Sequence, residues 1–508
     1  MAANRKKKAG SLFPVFVLRA GVLVVSALGF LAMLYVAARR LRYPLDLEWM
    51  EGGMLCHALR LFRGEGIYVA PSVDFVPHLY TPLYPAIVAL VGKLLGDVTY
   101  VAARAVSLAS FVAAIALCVW WVRKETGSVL AGVAGLAIPA ATFAETGGFF
   151  DLARADSLQL VLSVAGAYVA FYSDRKRWKG ALAALLLGAA FFSKQTAAPL
   201  AVASVLPLLL WDRRQAVWIG GLGLVGFGLV SLGLSRGSDG WFWTYIFRLH
   251  QSHAFFAHRA FVETPLTLFR IVGPGILLVP WAVISQATGR LASAEAGRGL
   301  YYTSWLFVAG MGTACLSFGT QWAHTNAYIP GVFFPALAVG MAVGRLLSRD
   351  DSAKKPTASA QLAREALLFC LLSLSVLLPL RRVELAAHIP TAADRQSADA
   401  LLLRLAGMRG EVLFPFHPFY PHLVGKRTYL HRMGVWDVRG TVAGPVRELF
   451  ASLRERRFSH IVMDDKVEAT WGDWPDILEH YRVAERFSGP RMVEGARTVP
   501  ALVLLPRE

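Results

Sequence analysis

Apolar residues are gathered into long uninterrupted runs, at about 13–38, 81–96, 99–122, 129–145, 157–172, 180–192, 196–211, 216–234, 266–286, 300–318, 328–347 and 366–380. Runs of this length, without the alternation of a half-buried strand, predict helices in a bilayer. From about residue 381 the pattern changes. Three short apolar segments, Glu411–Pro415, His460–Asp464 and Ala501–Pro506, are separated by polar stretches and predict strands between helices or loops. The expected organisation is therefore a membrane domain over 1–380 and a small soluble α/β domain over 381–508. The stretch Ser348–Ser359 reads as a flexible linker, and no internal repeat is visible.

Charge decides which runs cross. If 81–96 spans the membrane, the clusters Arg123-Lys124, Arg175–Lys179 and Arg213-Arg214 fall on the side opposite Arg5–Lys8. If it does not, all of them lie inside, as topology determinants do, and about eleven spans remain. The segment is short and carries Pro82, Pro85 and Lys93, so it is expected to lie in the interface as a juxtamembrane helix. This parity places 39–98, 146–156, 193–195, 235–265, 319–327 and the C-terminal tail outside. The N-terminus falls inside, the arrangement expected in a bacterial-type cytoplasmic membrane. Arg39, Arg40 and Arg42 break the rule locally and are expected to meet anionic groups at the interface. The apolar stretch after Arg5–Lys8 is too long for the core of a cleaved signal peptide and reads as a retained signal anchor.

Composition agrees: of 508 residues, 56% are hydrophobic, more than one soluble core absorbs. The net charge of +18 comes from short clusters between apolar runs, which speaks for topology and anionic lipid and against nucleic acid. Cys56, Cys118, Cys315 and Cys370 form no CxxC pair, so neither a disulfide framework nor a zinc site follows.

The chemistry-bearing residues gather on the outer face. The first loop carries Asp46, Glu48 and Glu51; Glu48 and Glu51 share a face at helical spacing, and Asp46 equally suits a helix cap. An aromatic–proline run, Tyr80-Thr-Pro-Leu-Tyr84-Pro, follows. Arg154-Ala-Asp156 precedes an outward-facing helix N-terminus, where Asp156 also suits a bland structural role. Lys194, in the turn Ser193–Thr196, is either a snorkelling interfacial charge or a phosphate partner. The loop 235–265 interleaves aromatics with Arg248, His250, His253, His258 and Arg259, which a simple aromatic belt does not require. No acidic or cysteine partner lies near His250 and His253, so phosphate is favoured over metal. Gln321–Tyr328 adds His324 and Asn326. Carboxylates, cations and aromatics on one face are the set that sugar transfer from a polyprenyl phosphate needs. A carboxylate takes the acceptor proton, cations meet the departing phosphate, and apolar walls hold the chain and the ring.

In their order, the acidic loop, Tyr80-Thr-Pro-Leu-Tyr84-Pro, Arg154-Ala-Asp156-Ser-Leu and Ser193-Lys194-Gln-Thr resemble the GT-C integral-membrane glycosyltransferases of family 39, over roughly 13–347. That family includes the protein O-mannosyltransferases and the bacterial lipid A aminoarabinose transferases. The resemblance implies a mainly α GT-C fold with juxtamembrane helices in the first outer loop. It also implies a polyprenyl-phosphate-linked monosaccharide donor and inversion at the anomeric carbon. No cofactor is expected to be required, and a divalent metal stays open. Carried over, Asp46 becomes the candidate general base and Asp156 the group that orients donor or acceptor. Lys194, Arg248 and His250 approach the donor phosphate, and Tyr80, Tyr84, Arg154, Arg259, His324 and Asn326 are further candidates for substrate binding. The protein mannosyltransferases place Asp and Glu side by side, whereas Leu47 separates Asp46 from Glu48 here, so Asp46, Glu48 and Glu51 all stay in play as the base. The expected partners are the lipid-linked donor, a hydroxyl acceptor on lipid, glycan or protein, and membrane lipids. A non-catalytic protein that binds or transports lipid-linked glycan is the alternative, and a ligase using pyrophosphate-linked donors a further one.

Overall fold

The computed structural model describes residues 2–289, 291, 294–348, 357–465 and 477–508. Every apolar run becomes helix. The chain begins with α1 (Ala2–Arg40), then two short helices of the first loop, α2 (Glu51–Phe62) and α3 (Leu83–Leu95). There follow α4 (Tyr100–Thr126), α5 (Val129–Ala141), α6 (Asp156–Phe171), α7 (Arg177–Ser193), α8 (Ala198–Val205) and α9 (Arg213–Arg236). The bundle closes with α10 (Thr264–Val272), α11 (Leu278–Ala287), α12 (Ala294–Gly319), α13 (Ile329–Leu347) and α14 (Ala358–Leu380). Local chemistry fixes the ends. The Thr99 and Ser128 side chains accept the amides of Ala102 and Ala131 at the starts of α4 and α5, and Gly127 ends α4 in the left-handed conformation at φ 72°.

Among the described residues, five helices are long and apolar enough to cross a membrane: Phe13–Arg40, Tyr100–Thr126, Arg213–Arg236, Thr325–Leu347 and Ser359–Leu380. The chain is an integral membrane protein. The other runs read as spans are helices too, but shorter or less uniformly apolar. The run 266–286, expected as one straight span, is broken: the helix axis turns by 95° at Gly273. Gly273 sits at φ 73°, Pro274 has no N–H to continue the ladder, and the amide of Gly275 donates to Ser375 Oγ at 2.7 Å instead.

Contacts sort the helix ends into two poles. Arg104 bonds the first loop, while Glu125, further along α4, meets Tyr172 and Arg345 and lies against Gly299. Those two positions are roughly 30 Å apart along the helix axis. Helix α3 does not leave the first pole: Tyr84 reaches Ser107 near its start, and Gly92 packs on Val98 near its end. Its other face bears Leu90, Leu94 and Leu95 at 60, 80 and 67% exposure, an apolar surface for the lipid interface. The juxtamembrane reading of 81–96 thus fits the geometry.

Helix α13 is buried on all sides. It crosses α5 at backbone contact, where a Cβ on Gly135 would lie 2.7 Å from Gly340 Cα, so only glycine lets the helices approach this closely.

After α14 come α15 (Ala392–Gly407), α16 (Arg432–Val438) and α17 (Arg447–Arg454), with four strands: β1 (Val412–Leu413), β2 (His460–Asp464), β3 (Tyr481–Arg486) and β4 (Pro500–Pro506). The sheet order is β1-β2-β4-β3, with β1 and β2 parallel and the other pairs antiparallel. The three expected strands are present; β3 is an edge strand whose charged Arg482, Glu485 and Arg486 disguise it. This region does not stand apart from the bundle: Phe414, Phe419, Tyr420, Val462 and Val493 belong to the same hydrophobic core as Val36, Leu45 and Leu55. Most of the expected linker, 349–356, lies outside the described residues; Thr357 caps α14.

Candidate functional site

The three first-loop carboxylates are all buried, and each points to a different partner. Glu51 is held by Arg104, whose Nη2 donates to it at 2.6 Å, and by the amides of Leu47 and Ala153, both at 2.7 Å. Arg104 also donates to the carbonyls of Tyr43 and Leu45. Each Glu51 oxygen accepts once from the guanidinium and once from a backbone amide, which makes Glu51 a pin for the loop.

Asp46 accepts from Gly52 N at 2.8 Å and Tyr100 Oη at 2.7 Å, and His417 Nδ1 donates to its other oxygen at 2.6 Å. The expected capping role is partly realised, because Asp46 satisfies an orphan amide in the first turn of α2. On its far side His417 Nε2 donates to Asp464 Oδ2 at 3.1 Å. Burial pulls the His417 pKa down, but Asp464 and Asp46 outweigh it and hold the group up at about 9.

Glu48 faces elsewhere. Arg154 Nη1 donates to Glu48 Oε2 at 2.6 Å, and Arg154 Nη2 donates to Tyr80 Oη at 2.6 Å. The guanidinium also lies over the rings of Tyr80 and Phe149. Burial raises the Glu48 pKa, partly offset by Arg154, to about 7. Two residues beyond Arg154, Asp156 Oδ1 accepts from Lys194 Nζ at 2.5 Å and from Asn326 Nδ2 at 3.0 Å. The turns that bear these groups are tied together, with Ser193 Oγ donating to the carbonyl of Ala155. His324 packs on Phe149, and burial followed by the Arg154 charge holds it below its usual pKa. His250 meets Gln195, whose amide bonds the carbonyl of Leu79.

Glu48, Arg154, Tyr80, Asp156, Lys194, Asn326, His324 and His250 are therefore brought together from six separate chain segments. The remaining candidates lie elsewhere. Tyr84 sits in the core, its hydroxyl donating to the carbonyl of Ala103 and paired with Ser107. Arg259 stacks on Phe256 and Phe318 and donates to the carbonyl of Thr320, joining two loops of the bundle. Arg248 is exposed in a cleft of about 330 Å³ with Trp241, Trp243 and Val442. A larger cleft, about 480 Å³, lies between Arg404 and the sheet, and none of the candidate residues lines it. Among the described residues no three His, Cys, Asp or Glu side chains are grouped to hold a metal ion.

Sequence reasoning missed His417, Tyr420, Asp464 and Glu494. The signal for His417 and Tyr420 was the run Phe414-Pro-Phe-His417-Pro-Phe-Tyr420-Pro directly after β1, and for Asp464 its place at the end of β2, since ligand and site residues favour strand C-terminal ends in α/β sheets. Arg40 does meet anions, but they are the protein's own Asp151 and Glu494. The cluster His57, His78 and His431 was also missed. Burial holds His57 near 4 and His431 near 3, so these rings are neutral.

Residues 78–233 match the sequence profile of the family described as dolichyl-phosphate-mannose-protein mannosyltransferase. A comparison with curated protein sequences gives no match. The crystal structure of ArnT from Cupriavidus metallidurans bound to undecaprenyl phosphate superposes with a TM-score of 0.58 at 13% identity, over 96% of this chain and 97% of that one. ArnT in the apo state gives 0.56 at 13% identity with the same coverage. The archaeal oligosaccharyltransferase AglB from Archaeoglobus fulgidus, in complex with an inhibitory peptide and a dolichol-phosphate, aligns over 91% of this chain and 72% of its own at 12% identity, TM-score 0.49. The resemblance read from the motifs thus holds: the chain is similar to the GT-C glycosyltransferases of family 39 and shares the ArnT fold over nearly its whole length.

Proposed function

We propose that this protein transfers a monosaccharide from a polyprenyl-phosphate donor to a hydroxyl acceptor, with inversion, at the outer face of a bacterial-type cytoplasmic membrane. The observation that carries the reading is the meeting of Glu48–Arg154–Tyr80 with Asp156–Lys194–Asn326 at one pole of the bundle. Glu48 takes the role of base. Its two neighbours in the acidic loop are each held by at least three donors, whereas Glu48 has one side-chain partner, Arg154, beside the Met50 amide, and a pKa near the working pH.

In the reaction the acceptor oxygen attacks the anomeric carbon as its proton passes to the Glu48 carboxylate. The bond from that carbon to the phosphate oxygen breaks, and its electron pair leaves with the polyprenyl phosphate. Lys194 and Arg154 meet the charge that develops there. Asp156, itself held by the Asn326 amide, fixes the Lys194 ammonium, and Tyr80 with Phe149 walls the sugar. ArnT was crystallised with undecaprenyl phosphate, which supports a donor of this chemical class.

The test is label transfer by the protein in liposomes, from radiolabelled polyprenyl-phosphate sugars into a chloroform-insoluble or larger lipid product. Wild type should release free polyprenyl phosphate in step with product. Donor binding without turnover, across a panel of sugars and acceptors, would make this a binding protein instead.

A further inference from the structure

Residues 41–50 are neither helix nor strand, and their local backbone bonds run to the flanking helices: Leu41 N and Tyr43 N donate to the carbonyls of Ala37 and Arg40, and the carbonyls of Glu48 and Met50 accept from Glu51 N and Met54 N. From Asp46 to Trp49 the loop is held residue by residue from the C-terminal region. The Asp46 amide donates to Tyr420 Oη at 3.1 Å, and His417 grips the Asp46 carboxylate. The amide of Glu494 donates to the carbonyl of Leu47 at 3.0 Å. Gly495 packs on Glu48 so closely that a Cβ there would lie 2.5 Å from Glu48 Cγ. His431 Nε2 donates to the carbonyl of Trp49 at 3.2 Å.

We propose that the C-terminal region works directly in the reaction as a clamp on the acidic loop, with His417 as its central positioning residue, bridging Asp46 to Asp464. The proposal rests on the reading of Glu48 as base. Each His417 nitrogen faces a carboxylate oxygen, so both must carry a proton, and the ring is an imidazolium. Its plane is set by stacking on Tyr420, at 4.6 Å and 9°. All three side chains of the bridge are wholly out of solvent. Without the cation, two buried carboxylates would face each other with no positive charge between them, Asp46 on the loop keeping only Gly52 N and Tyr100 Oη, and Asp464 at the end of β2. The groups facing the bridge are Asp46 from the loop, Asp464 from β2, Tyr100 from α4, Tyr43 from the end of α1 and Tyr420 from the turn after β1; Glu51 acts on Asp46 at longer range. The consequence for catalysis is geometric: loosening Asp46 frees the loop backbone that aims Glu48 at its substrate.

The test uses full-length protein and the variants His417→Gln and Asp464→Asn. The first readout is independent of activity: the melting temperature in detergent as a function of pH. The folded pKa of His417 lies above its unfolded value of about 6.5. Its contribution to stability is therefore complete below that pH and lost as pH rises through about 9. Burial also raises the Glu48 and Asp437 carboxyls, to about 7 and about 8, so both proteins lose melting temperature up to about pH 8; the further loss through about 9 should be present in wild type and absent in His417→Gln. The second readout is transfer. Both variants should lose kcat by about 10- to 100-fold with donor KM within about twofold. The alkaline limb of the rate profile near pH 9 should disappear in His417→Gln. Asp464→Asn, which keeps the imidazole, serves if His417→Gln does not fold. This further melting loss with unchanged kcat in both variants overturns the clamp and leaves the transferase reading intact. Wild type that moves no sugar overturns that reading, while absence of the further loss overturns the bridge itself.

Discussion

Glu48→Gln separates chemistry from architecture. Glutamine has the same shape, and its amide oxygen can still accept from Arg154 Nη1, which now reaches Glu48 Oε2 at 2.6 Å, so the Arg154–Tyr80 pair stays in place. What is lost is the ability to take a proton, which costs about 10²- to 10⁴-fold, or roughly 3–5 kcal/mol of barrier. The pH profile sharpens this. With Glu48 held at about 7 by burial, and the deprotonated form acting, the wild-type rate falls about tenfold per pH unit on the acid side and levels off above neutrality. The assay is label transfer in proteoliposomes between about pH 5.5 and 8, with donor binding measured in parallel and expected to be retained. Asp46→Asn gives the contrast. Asp46 accepts from Gly52, Tyr100 and His417 together, and an asparagine amide sets N–H against one of those donors. That variant should lose melting temperature and yield before it loses a clean chemical step. Glu48→Gln within about threefold of wild type, beside a folded but dead Asp46→Asn, would refute the assignment and move the base to Asp46.

Lys194→Gln removes the cation fixed by Asp156 and should weaken donor use, raising donor KM or lowering kcat/KM by about 10- to 100-fold. Arg104→Met leaves the Glu51 carboxylate buried and unpaired. It should destabilise by about 3–5 kcal/mol, seen as lost folded protein on size exclusion. Gly495→Ala places a methyl 2.5 Å from Glu48 Cγ at φ 61°, and should cut the rate about tenfold or more at near-normal yield. A membrane-impermeant thiol reagent applied from outside should label Val442→Cys and not Arg177→Cys, in a background without the exposed Cys370.

Periodicity and charge made the membrane architecture readable. Long apolar runs are helices wherever a bilayer is the solvent, and the run 81–96 that charge parity set apart forms α3, a helix of 13 residues and shorter than a span. The break at Gly273 was less visible, because a Gly-Pro pair is tolerated in membrane helices when a neighbour such as Ser375 takes the freed amide. In the site, Arg154, Asp156 and Lys194 were legible because each charge sits in a short turn between apolar helices. The direction in which each first-loop acid points was not legible. It depends on Arg104 within a span and on His417 and Gly495, far along the chain, and local spacing carries no information about such partners. Tyr84 misled for the opposite reason: a hydroxyl one helical turn beyond Tyr80 turns inward and is satisfied by α4.

Helix α13 meets protein on every side, whereas α9 is covered over only 11% of its apolar window. The apolar sequence of α13 is thus matched to its neighbours and that of α9 to lipid tails, though hydropathy alone reads the two alike. Solvent exchange at the rim will be felt unequally: harsh detergents should strip and loosen the peripheral α9 first and leave the α5–α13 axle intact. Lipid species that crowd around α9, not the centre, are where bilayer composition can gain a hold on this molecule.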